Sequence, residues 1–210
     1  MNKQGTIILL IFLNAVILFG AENIILPKPE KSGGMPLMEA LNQRRTTRNF
    51  GEGELSKQQL SNLLWAAWGI NRDNGKRTAP SAVNWQEIEI YVTLRSGLYL
   101  YNAEKHQLEQ LSDKNIMAHT GTQKFTQHAA LNLVYVADYN KMSRRMDENA
   151  KKHYSWVDTG YISQNIYLYC ASEGLGTVVI GLVDREELRS HIPLQEHQKI
   201  VLTQTVGLKA

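Results

Sequence analysis

The 210-residue chain has a single cysteine, Cys170. One thiol excludes an intrachain disulfide and any multi-cysteine metal site. It falls inside a long apolar helical pattern, where a thiol reads as an inert part of the core rather than a nucleophile. Excess charge of one sign is also missing. Lysine and arginine number 23 against 20 aspartates and glutamates, a net charge of +3, which gives no general attraction to polyanions and makes nucleic acid a poor partner. His106, His119, His128, His153, His191 and His197 never approach a metal-ligand spacing such as HExxH, so no metal is expected. A GxSxG elbow for a serine nucleophile is absent. The glycines of EGLGTVVIG, residues 173–181, do not make a dinucleotide fingerprint. They follow a helical pattern and precede an extended one, the reverse of the order the fingerprint needs.

What is present begins with an ordinary folded composition, 43% hydrophobic and 20% charged residues. The length suits one domain with a substantial core. Lys3 precedes the aliphatic run Thr6–Gly20, the short-positive then apolar layout of a secretory signal. The run is shorter than the ~20 residues of a membrane span, and Asn14 interrupts it. Residues 1–21 therefore read as a signal peptide, or as an uncleaved N-terminal anchor, and imply export out of the cytoplasm, to the periplasm or its equivalent. Residues 22–34 mix proline, glycine and charge like a linker. The folded domain is expected over residues 35–210.

Within that domain Pro36 opens a helical pattern that runs on into Arg44 and Arg45. Ser56 and Gln59 form a capping box for a second helix striped by Leu60, Leu63, Leu64, Ala67 and Trp68 and ended by Gly69. A polar, turn-rich loop over residues 71–84 leads to a half-buried strand, in which Ile88, Ile90, Val92 and Leu94 alternate with more polar residues. Two short strands follow around a turn at residues 102–105, then a core-length strand from Leu131. A long helix covers about Tyr154 to Glu173 and stops at Gly174. Asp184 and Glu187 cap a short helix before Pro193, and a strand closes the chain. The fold class is α+β, with a mixed or mainly antiparallel sheet flanked by helices.

Two stretches carry chemistry. In QRRTTRNF, Arg44 and Arg48 stand four apart and share a face if the helix continues, with Arg45 beside them and threonine hydroxyls at Thr46 and Thr47. Planar cations with short hydroxyl donors suit a phosphate, although a solvated basic helix end has the same composition. In TAPSAVNWQE, Pro80 stiffens a turn, Ser81 and Ala82 let a flat ligand approach the backbone, and the amides of Asn84 and Gln86 can both donate and accept at a ring edge. A loop that only caps the next strand is the alternative. Neither stretch brings an acid, a base or a nucleophile, and that combination points to chemistry residing in a bound cofactor.

Taken in order, RRTTRNF, LLWAAWGINR…GKRTAPSAVNWQEIEIYV, GLYLYNAEKHQLEQL and DTGYISQNIYLYCASEGLGTVVIG…VGLK resemble the nitroreductase family of FMN-dependent oxidoreductases. The likeness spans about Met35 to Lys209 and is nearest to the short branch of SagB-type azoline dehydrogenases. It implies a nitroreductase-like fold, an intertwined homodimer and FMN between the subunits. By motif, Arg44, Arg45, Thr46 and Arg48 look like the phosphate and ribityl contacts, with Lys209 a last one. Pro80, Ser81, Ala82, Asn84 and Gln86 look like the wall and edge of the isoalloxazine site. Gly176, Thr177, Ile180 and Gly181 look like the backbone along the ring near N5. Trp85 departs from the smaller residue the family pattern leads one to expect. The implied reaction is two-electron transfer from NAD(P)H or another donor, through flavin N5, to a nitroaromatic or quinone, with no catalytic side chain. The other readings are an exported flavin-binding protein without turnover, an azoline-type dehydrogenase, and a polyanion-binding surface protein using Arg44, Arg45 and Arg48.

Overall fold

A computed structural model describes residues 22–210, so the expected signal or anchor lies outside the described residues. Seven strands build one sheet: β1 (Ile24–Ile25), β2 (Ile88–Leu94), β3 (Gly97–Asn102), β4 (Gln107–Ser112), β5 (Leu131–Asp138), β6 (Leu175–Ile180) and β7 (Gln198–Leu208). Their order across the sheet is β1-β4-β3-β2-β5-β7-β6. Each neighbouring pair is antiparallel. The helices are α1 (Leu37–Gln43), α2 (Lys57–Trp68), α3 (Glu148–Ser172) and α4 (Arg185–Ser190).

Strand β5 is mostly apolar because it feeds two cores. Leu131, Leu133, Tyr135 and Ala137 face the larger one under α2 and α3, and Val134 and Val136 face a smaller one under α4. Strand β2 does the same: Ile88, Ile90 and Val92 enter the first core and Tyr91 the second. The sheet is thus covered on both sides, and β2 is more buried than its alternation suggests. Ile162 and Ile166 anchor α3 to the larger core, each contributing about 1.5–3 kcal/mol by full burial.

Local chemistry explains the ends of the elements. Ser56 and Gln59 cap α2 reciprocally, and Gly69 closes it. Helix α3 begins at Glu148, six residues before the expected Tyr154, because the Asp147 side chain accepts the Ala150 N–H at 2.7 Å. Gly174 takes φ 69° just past its end, as expected of the glycine there. Helix α1 gives a correction: it stops at Gln43 instead of running on through the arginines. The chain is then extended, and Thr47 N–H donates to Thr177 C=O at 2.9 Å. Arg44 and Arg48 therefore do not share a helical face. At the other edge of the sheet, Ile24–Ile25 pairs with β4, Leu26 is buried and Pro27 C=O accepts the Ser61 hydroxyl, so part of the stretch read as linker packs on the domain.

Candidate functional site

Strand β6 is an edge of the sheet, and the arginine segment lies along it. After the Thr47–Thr177 bond, Phe50 bridges to Lys209 and Gly51 N–H donates to Leu208 C=O at 3.0 Å. Gly176 makes the close approach possible: a Cβ there would stand 3.0 Å from Thr47 Cγ2 and 3.2 Å from Phe50 Cε1. The consequence is a meeting of cations distant in sequence. Arg45 and Lys209 line one small notch with Gln43, Tyr167, Cys170 and Thr177. No carboxylate lines it, and among the described residues none of Arg44, Arg45, Arg48 and Lys209 forms an ion pair.

Tyr167 organises this notch, and nothing local in the sequence singles it out. Its hydroxyl lies 3.1 Å from Thr46 Oγ1 and accepts Val179 N–H at 3.1 Å, and Arg44 stands over its ring at 5.3 Å. Thr177 is engaged inside the sheet: its hydroxyl donates to Thr205 C=O at 2.8 Å and accepts from Gln204 Nε2 at 3.0 Å, so only its backbone can serve a ligand. Gln204 Oε1 in turn accepts the buried Tyr135 hydroxyl at 2.6 Å. Burial pushes the Cys170 thiol well up, consistent with an inert core position.

The second group, residues 80–86, is a strained turn. Val83, Asn84 and Gln86 take φ of 51°, 59° and 51°, and Val83 is 85% exposed. Gln86 holds the turn from within: its N–H donates to Ser81 Oγ, its Oε1 accepts from Arg77 Nε, and its Nε2 donates to Gly75 C=O. That leaves Pro80, Ser81, Ala82 and the exposed Asn84 as the surface offered, with Gln86 beneath as a brace. Trp85 turns its ring edge-on to Tyr154 of α3. From α3, Asp158 Oδ2 accepts Ala82 N–H at 2.9 Å.

The two groups sit at different levels of α3. Asp158 and Tyr167 are nine residues apart, about 13–14 Å along the helix axis. Ile180 and Gly181 lie at the end of β6 away from Gly176, with Ile180 buried and Gly181 exposed. A single chain therefore brings Arg45, Lys209, Thr46 and Gly176 together but not Pro80–Asn84 with them.

Two other places attract attention. A cleft of about 650 Å³ lies between α3, α4 and β7 and holds none of the expected site residues. Its arginines are already engaged: Arg185 donates to Ile200 and Val201 carbonyls, and Arg189 to those of Gln195 and Gln198. His119, Glu187 and His191 also meet, a cluster that sequence spacing did not reveal, with candidate ligand atoms all within 4.8 Å of one another. His119 Nδ1 lies 2.9 Å from Glu187, and the two imidazoles stack at 3.9 Å with planes 25° apart.

The notch of cations and the exposed turn of residues 80–86, on an antiparallel α+β frame, are two surfaces that could hold a cofactor. Comparison with known proteins makes this specific. Residues 41–208 match the model of the nitroreductase family. A solved nitroreductase homologue from Ralstonia eutropha JMP134 is 42% identical, superposes with a TM-score of 0.85, and the match covers 90% of each chain. A nitroreductase homologue from Methanocaldococcus jannaschii is 29% identical over 79% of this chain and 88% of its own. A structure from Staphylococcus epidermidis assigned as an NAD(P)H:FMN oxidoreductase shares the fold at 17% identity, with a TM-score of 0.64 over 87% of this chain and 92% of that one. The chain belongs to the nitroreductase family. It is an oxidoreductase enzyme.

Proposed function

We propose that the protein is an FMN-dependent oxidoreductase that passes two electrons, as hydride through flavin N5, from a reduced nicotinamide or other donor to an electron-poor acceptor such as a nitroaromatic or quinone. The observation that carries this reading is the carboxylate-free notch of Arg45 and Lys209 beside Gly176. Exposed cations held together without an acidic partner fit a phosphate.

In this reading Arg44, Arg45, Thr46, Arg48 and Lys209 hold the phosphate and ribityl end. Tyr167 fixes Thr46 and supports Arg44. Pro80, Ser81, Ala82 and Asn84 form the ring-edge wall, braced by Gln86, and the backbone of Gly176, Thr177, Ile180 and Gly181 runs along the ring. FMN, when bound, supplies reversible two-electron chemistry that no side chain of this protein has. The chain's own part is to orient the ring and to place positive charge where negative charge accumulates.

The separation of the two groups along α3 supports a homodimer in which one subunit supplies the grip and its partner the ring-edge loop. The surface agrees. Tyr154, Val157 and Tyr161 make an exposed stripe on α3, and Leu37, Met38 and Leu41 make another on α1. The N-terminal run of residues 1–21 supports export, and the N-terminal sequence of protein recovered outside the cytoplasm would test it.

The central test is spectroscopic. The purified full chain should show the visible spectrum of oxidised flavin, bleach anaerobically with NADPH or another reductant, and recolour when a nitroaromatic or quinone is added. A protein that neither retains nor binds added FMN refutes the reading. One that binds FMN but bleaches with no donor is a flavin-binding protein without turnover. Light scattering should give a dimer mass, and Tyr161→Glu should lower it.

A further inference from the structure

Glu87 immediately precedes β2, is fully buried, and has no hydrogen-bond partner for either carboxylate oxygen among the described residues. An ionised carboxylate in such a place is costly unless something compensates it. Two charged groups bear on it. The Asp158 carboxylate, from the buried face of α3, lies within hydrogen-bonding reach, and the Lys141 ammonium belongs to the turn Tyr139–Lys141. Lys141 does not neutralise Glu87, because its ammonium already lies 2.8 Å from Glu89. Asp158 is itself only 2% exposed. Two buried carboxylates in contact cannot both be ionised at little cost, so one proton belongs between them.

The third partner limits where that proton sits. Asp158 Oδ2 accepts the Ala82 N–H, so the shared proton lies on Glu87 or on Asp158 Oδ1, between the two carboxyls. Burial foremost, and the Asp158 charge after it, raise the Glu87 carboxyl to about 7 from an ordinary 4.5. The remaining bonds that hold the strained turn come from residues 75–86 themselves. Among the described residues, the Asp158–Ala82 bond is the hydrogen bond that ties the turn to a helix.

We propose that Glu87 and Asp158 share one proton, and that this proton holds the Ala82–Gln86 turn in the shape that reads the flavin edge, so that loss of the proton loosens the turn and the grip on the ring. Glu87 is a positioning residue: it reaches the ligand only through Asp158 and Ala82. This rests on the function proposed above, but the proton and its hold on the turn exist in the flavin-free protein. Glu87→Gln keeps a donor toward Asp158 at all pH values. Asp158→Asn can keep an acceptor for Ala82 and turn its amide toward Glu87. Glu87→Gln mimics the proton-sharing state without titrating, and Asp158→Asn removes the charge that an ionised Glu87 would repel.

The experiment has two arms, each between about pH 6 and about pH 8.5, spanning the transition. In the flavin-free protein, infrared spectroscopy should show a protonated-carboxyl stretch that fades as pH rises and is missing in Glu87→Gln. The Ala82 amide proton resonance should move over the same range and stay still in both variants. In the second arm FMN affinity, followed by flavin fluorescence, should weaken about tenfold across the range in the unmodified protein and stay flat in both variants. A missing carboxyl band, or an Ala82 resonance that ignores it, overturns the shared proton and its hold on the turn. Flat FMN affinity in the unmodified protein overturns the link to the ligand. A band and an Ala82 shift without any FMN binding would refute the proposed function while supporting the shared proton.

Discussion

Gly176→Ala is the most direct probe of how the proposed anion grip is built. The new Cβ would stand 3.0 Å from Thr47 Cγ2 and 3.2 Å from Phe50 Cε1, inside the ~3.5–4.0 Å at which carbon atoms attract. Neither neighbour moves freely. Thr47 is tied by its N–H to Thr177, and Phe50 by its bridge to Lys209 and by the Phe125 ring at 5.9 Å. Forcing the segment aside should cost about 1–3 kcal/mol of stability, the usual range for overpacking. The same shift moves Arg45 relative to Lys209. Losing one charge-assisted contact costs about 1.5–3 kcal/mol, or roughly one to two decades of FMN affinity. Urea unfolding measures the first effect and flavin fluorescence titration the second. Adding Thr47→Ser removes the methyl that meets the new Cβ at 3.0 Å, and should restore part of both. An alanine variant with unchanged stability and affinity, or a double variant with no recovery, would refute the reasoning.

Three further outcomes follow from the same geometry. Arg45→Ala and Lys209→Ala should each lower FMN affinity by about one to two decades with an unchanged urea midpoint, because both side chains are exposed and unpaired among the described residues. Tyr135→Phe removes the donor that reaches Gln204 Oε1 at 2.6 Å, leaving a buried acceptor unsatisfied, and should cost about 1–3 kcal/mol in urea unfolding. Glu87 should make stability depend on pH. Its folded value of about 7 lies above the ordinary 4.5, so its contribution is full below about pH 4.5 and is lost as pH rises through 7, about 3 kcal/mol in all. Unfolding measured across that range should lose this slope in Glu87→Gln.

The parts of the fold that were legible in the sequence are those fixed by neighbours within a few residues. The Ser56–Gln59 box, the Gly174 stop, the turn at residues 102–105 and the apolar run of β5 each carry their cause locally. The end of α1 is different. Nothing in RRTTRNF forbids another helical turn, and what ends the helix is a bond from Thr47 to a residue far along the chain. The arginines were legible by type as candidate anion contacts, while their arrangement depended on that bond. Tyr167, Asp158 and Glu87 left no local mark at all. Each matters through a partner 71 or more positions away: Thr46, Ala82 and Asp158 respectively (87 to 158 is the shortest gap). Residues 24–25 pair with β4 although proline and charge around them suggest a loose tether, because pairing needs only two residues that fit a bare edge.

The arginine segment has a second consequence that concerns solubility. Strand β6 ends the sheet, and a bare edge is a template on which another copy can pair. Two of its outward groups, the Thr177 carbonyl and the Val179 amide, are taken up by Thr47 and by Tyr167. The arginine segment is thus also the guard of the sheet's open side. Whatever lifts that segment uncovers an edge prone to self-association, and under the proposed function a shortage of cofactor would shorten the lifetime of the protein in solution.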